Sequence, residues 1–93
     1  ISDLRMAVDE TCATLVAMAA PGSPLRCTFA VGDERIDVAA RVETGAGAQL
    51  PTDSFGWRVL QTLADHVAVE TGEEDGGRPG LTIRLHKLAG HGL

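Results

Sequence analysis

The densest run of chemistry in the chain is Arg41 to Gly47, RVETGAG. An acid, Glu43, is followed by two glycines, Gly45 and Gly47, spaced by one residue. Glycines let a backbone pass close to a ligand, because no Cβ intervenes. The same residues suit a flexible exit from a strand, and the spacing alone leaves both readings open. The two cysteines, Cys12 and Cys27, fit no zinc spacing. Free, buried thiols in a reducing compartment are the expectation, with a Cys12–Cys27 disulfide as the alternative. His66 and His86 read as surface or packing residues, and His91 falls in the tail. No Ser/His/Asp or Cys/His nucleophile arrangement can be assembled.

The elements around these residues follow from hydrophobic period. Leu4, Val8, Cys12, Leu15, Met18 and Ala19 recur near helical spacing, which predicts a helix over Ser2–Ala20. Ser2 is its candidate N-cap, Asp3 suits the positive end of its dipole, and PGSP stops it. Leu25 to Val31 alternates as a strand with Leu25, Cys27, Phe29 and Val31 on one face. After a GDE turn, Arg35 to Val42 returns antiparallel, with Ile36, Val38, Ala40 and Val42 inward. Residues 43–54 form a loop that is long for a compact domain. A second helix runs from Phe55 or Gly56 to about Ala64, capped by Ser54 or Asp53, with Trp57, Leu60, Leu63 and Ala64 buried. His66–Thr71 is a third strand, GEEDGGRPG a polar turn, and Leu81 to Leu85, extending to Lys87, a fourth. The tail, residues 88–93, reads as disordered. The order α-β-β-α-β-β predicts an α/β two-layer sandwich: a mainly antiparallel mixed sheet with helices on one face.

The totals limit the function. Ninety-three residues make one small domain, 1–93. Apolar residues at 44% and charged residues at 23% describe an ordinary globular chain rather than a disordered one. A net charge of −5 argues against nucleic acid and is compatible with a basic protein partner. No apolar run approaches the ~20 residues of a membrane span, and with charges inside its first ten residues the start is not expected to be a signal peptide. The chain starts without Met, almost inside a helical pattern, as a fragment lacking N-terminal elements would.

LRMAVDETCATLV, VETGAG, FGWRVLQTLADHVAVE and GLTIRLHK follow one another in a recognisable order. Together they resemble the ATPase domain shared by histidine kinases, gyrase and Hsp90. Within that superfamily they are most similar to the RsbW-type anti-sigma factors, the switch-protein serine kinases, and to their actinobacterial UsfX-like branch. The resemblance covers most of residues 3–87 and rests on order and spacing more than on any single motif. It implies a histidine-kinase-like ATPase fold with an earlier strand and helix missing here.

It also implies site residues. Glu10 matches the family Glu that acts as general base or water positioner. Thr14 stands where the family has the Asn that ligates Mg²⁺, one helical turn on. Glu43, Gly45 and Gly47 match the adenine-binding Asp-x-Gly-x-Gly, with Glu for Asp. Gly56 is what remains of the glycine-rich junction before a phosphate-facing helix, and Thr82 matches a strand Thr that supports adenine. Bland readings stand beside these: a solvated face for Glu10 and Thr14, core packing for Trp57, a β-favouring residue for Thr82. Thr14 and the aromatics flanking Gly56 depart from what metal-dependent phosphoryl transfer needs. The expected function is therefore a cytoplasmic anti-sigma factor that sequesters an alternative sigma factor. It would be released by an anti-anti-sigma factor, would form a homodimer, and would have a degenerate ATP and Mg²⁺ site. The alternative is an active serine kinase acting on that antagonist, with Glu10 as base.

Overall fold

The computed structural model describes residues 2–45, 54–74 and 78–88. Helix α1 (Ser2–Met18) and helix α2 (Phe55–Leu63) pack on one face of a four-stranded sheet. The strands are β1 (Arg26–Val31), β2 (Arg35–Glu43), β3 (His66–Glu74) and β4 (Arg78–Leu88), in the spatial order β1-β2-β4-β3. Every described pairing is antiparallel, so the expected mixed sheet is antiparallel throughout among these strands. The hairpins β1–β2 and β3–β4 each pair locally, and their second strands then pair with each other.

The core forms where the two central strands face the helices. Val38, Ala40 and Val42 lie opposite Leu85, Ile83 and Leu81 in register, and all six are buried. Their alternation with Asp37, Ala39, Arg41, Thr82 and Arg84 is the period-2 pattern of a sheet covered on one side. Trp57 and Leu60 of α2, with Ala64 at its C-cap, complete this core as the helical stripe predicts, while Leu63 of that stripe is only partly buried. Ser54 caps α2: its Oγ accepts the Trp57 N–H at 3.1 Å.

Helix α1 differs in detail from its pattern. The most buried line is Ala7, Thr11 and Leu15, with Leu4, Val8 and Met18 only partly buried beside it. Counting large apolar residues missed Ala7 and Thr11. The Thr11 hydroxyl is buried with no hydrogen-bond partner among the described residues. Such a group costs about 1–3 kcal/mol. The helix already includes Ser2, which removes Ser2 from the cap position, and it stops at Met18, two residues short of Ala20. The following turn hooks onto the end of β2. Ala20 N–H donates to the Glu43 carbonyl at 2.8 Å, and Ser23 Oγ accepts from Glu43 N–H at 2.9 Å. Gly22 takes φ +80° in that turn, a conformation that favours glycine.

Three further expectations change. The strand β1, expected over Leu25–Val31, begins at Arg26 and is an edge whose apolar face is not covered: Phe29 is 55% and Val31 77% exposed. An edge strand pairs on one side only, and no helix reaches over this end. The polar GEEDGGRPG turn shrinks, because β3 runs to Glu74 and β4 begins at Arg78. Leu88 belongs to β4, and its N–H donates to Asp65 Oδ2 at 2.6 Å, so it is not tail. Residues 89–93 lie outside the described residues.

Candidate functional site

The resemblance singles out positions on α1, β2, α2 and β4 and in the loop after β2, and the fold separates the described ones into two groups. The first group forms where the middle of α1 meets the first turn of α2. Glu10 and Thr14 are one helical turn apart, and the Thr14 hydroxyl donates to Glu10 Oε2 at 3.3 Å. Gly56 faces this pair. A Cβ built on Gly56 would stand 2.5 Å from Glu10 Oε2 and 3.8 Å from Thr14 Oγ1. With glycine there, α2 begins against the Glu10 carboxylate; a Cβ would make that side chain shift. Both acid and hydroxyl are half-buried, so neither is the freely solvated surface residue of the bland reading. The aromatics around Gly56 part company: Phe55 points to solvent, while Trp57 is a core residue.

The second group lies elsewhere. Thr82 sits between the inward Leu81 and Ile83, so its side chain is on the sheet face away from the helices. There it accepts a hydrogen bond from Arg41 Nη1 at 3.0 Å. Arg41 also donates through Nη2 to the Gly72 carbonyl at 3.3 Å. The guanidinium therefore lies over Gly80, where a Cβ would collide with it and would stand 2.8 Å from the Val42 carbonyl oxygen. Glu43 follows the inward Val42 and falls in the same row as Arg41. It lines a small cleft with Pro24, Arg26 and Arg41. Gly45 has open space around its Cα. Gly47 lies outside the described residues.

Sequence reasoning missed Arg41 and Gly80. A signal was present: cross-strand register pairs Arg41 with Thr82 and Glu43 with Gly80, and side-chain parity follows from the buried neighbours. The open sheet face also carries a broad groove of about 370 Å³ over β1, β2, β4 and β3. Its rim includes His66 and His86, whose rings stack with centroids 5.4 Å apart, and the exposed Arg84–Glu70 ion pair at 3.0 Å.

The chain is 36% identical to a protein named anti-sigma-F factor RsbW, from Mycobacterium tuberculosis (strain CDC 1551 / Oshkosh). The alignment runs over 96 positions and takes in 96% of this chain and 55% of RsbW. The same figures hold for the RsbW of strain ATCC 25618 / H37Rv. The chain thus spans about half the length of the curated relatives it matches. No family model matches the chain. The similarity to RsbW is that of a distant homologue, and it includes both groups of site positions within its span. No helix among the described residues is long and apolar enough to cross a membrane.

Proposed function

We propose that this chain is part of a cytoplasmic anti-sigma factor. It would hold an alternative sigma factor by direct protein–protein contact and release it to an anti-anti-sigma factor. The observation that carries the reading is the similarity to anti-sigma-F factor RsbW, which extends over 96% of the chain. On this reading, residues 1–93 are a partial histidine-kinase-like ATPase domain, a homodimer in the full-length protein, with little or no kinase activity.

The site geometry supports the degenerate half of the proposal. Mg²⁺ requires near-ideal octahedral oxygen placement. Thr14 instead directs its hydroxyl at Glu10, within one helix. Thr82, the residue expected to support adenine, is engaged by Arg41, and Glu43 lines a small cleft in the same row. On this reading, these residues no longer hold ATP with Mg²⁺. Co-expression of the full-length protein with each sigma factor of its own genome tests the binding function. A stable complex with one is expected; no complex with any of them refutes it.

One observation favours a second reading, an active serine kinase. Glu10 still meets the start of α2 across Gly56, where a base and a phosphate-facing helix would meet. Calorimetry of the full-length protein with ATP and Mg²⁺ separates the two. Absent binding removes the kinase; tight binding followed by phosphate transfer to an antagonist serine would replace the first reading.

A further inference from the structure

Cys12 lies on α1 between Glu10 and Thr14, and Cys27 lies on β1. Their Sγ atoms are 3.8 Å apart, although the residues are separated by fifteen positions. Both are free thiols; Cys12 is half-buried and Cys27 exposed. The two elements are otherwise held apart, with no Cα of α1 within 8 Å of a Cα of β1. The thiols therefore point at each other across a gap between a helix and an edge strand.

We propose that Cys12 and Cys27 are a redox pair that a peroxide converts to an intramolecular disulfide. The bond would draw the edge strand and α1 together. A disulfide holds its Cα atoms about 4.4–6.8 Å apart, so closure shortens the gap by more than about an ångström. The strand β1 is the part able to give, because among the described strands it pairs only with β2 and it is exposed along its length.

The order of events follows from the surroundings. Burial, together with the hydrogen bond to Cys27 and the charge of nearby Asp9, pushes the Cys12 thiol up to about 11. Peroxide reaches the exposed Cys27 before the half-buried Cys12, so Cys27 reacts first. Its sulfur attacks one peroxide oxygen, the O–O bond breaks, and Cys27 becomes a sulfenic acid as one water leaves. Cys12, giving its proton to solvent, then attacks the Cys27 sulfur. The S–O bond breaks, the S–S bond forms and a second water leaves. Two thiols and one hydrogen peroxide become one disulfide and two waters.

The test exposes the full-length protein to hydrogen peroxide, traps remaining thiols with an alkylating agent, and maps the peptides by mass spectrometry. The expected product is a Cys12–Cys27 linked peptide lighter by two hydrogens, reversed by dithiothreitol. It is absent in both Cys12→Ser and Cys27→Ser, each checked for its fold by circular dichroism. In those single variants, the exposed Cys27 should react with peroxide faster than the half-buried Cys12. Free thiols after treatment, a disulfide joining only two copies, or Cys27 passing to sulfinic acid while Cys12 stays alkylatable would each overturn the proposal. None of these outcomes depends on whether a sigma factor is bound.

Discussion

Gly56 shows how one missing methyl group shapes the junction of the two helices. In the first turn of α2, alanine would be the better helix former by up to about 1 kcal/mol. It would also place a Cβ against Glu10 Oε2 and disturb the bond from Thr14. Gly56→Ala should therefore stabilise by roughly 0.5–1 kcal/mol in a Glu10→Ala background and by clearly less, or with opposite sign, in the wild type. Urea unfolding of the four proteins measures this coupling; equal effects in both backgrounds would rule out the contact. Cys12 gives a second residue-scale expectation. Its folded pKa is raised from 9.0 to about 11, chiefly by burial. Folding thus favours the protonated thiol. The associated stability is complete below pH 9 and is lost as pH rises from 9 toward 11. The fall in unfolding free energy across that window should be smaller in Cys12→Ala. At this scale the sequence singled out Glu10 and Gly56 as separate motif matches, and their meeting is visible only in the structure. The parity of Thr82 was legible from the apolar Leu81 and Ile83 on either side of it.

Elements follow the sequence where local chemistry decides them. Ser54 is a clear case, since a serine before a helical stripe satisfies an orphan N–H, and here it bonds Trp57. Ser54→Ala should destabilise the fold by about 1 kcal/mol, seen as a lower thermal midpoint with a native circular dichroism spectrum. The inward rows of β2 and β4 were legible because covered strands alternate strictly. The exposure of β1 was not, because edge position depends on which hairpins pair across the sheet. That is a non-local outcome with no period-2 signature. The reach of β3 and β4 into a Gly- and Glu-rich turn was hidden for a related reason. Pairing with a partner strand overrides weak intrinsic preference there.

At the scale of the molecule, the net charge of −5 becomes relevant to association. If the partner is a basic surface of a sigma factor, attraction speeds encounter and salt screens it. The on-rate of the complex should fall as salt rises from about 0.05 to 0.5 M, while the off-rate changes little. Surface plasmon resonance at several salt concentrations reads both constants. An on-rate indifferent to salt would remove charge from the account of binding without touching the apolar contacts.

The guanidinium of Arg41, lying over Gly80 to reach β3, also bears on how such chains can change through descent. The two positions do not constrain each other equally. A lineage could lose Arg41 and keep Gly80, since a smaller residue leaves the strands room to pair. Gly80 cannot be lost so freely even after Arg41 is gone, because the Val42 carbonyl still crowds any Cβ there. Across homologues the arginine should therefore come and go over an invariant glycine, a one-way dependence rather than mutual covariation.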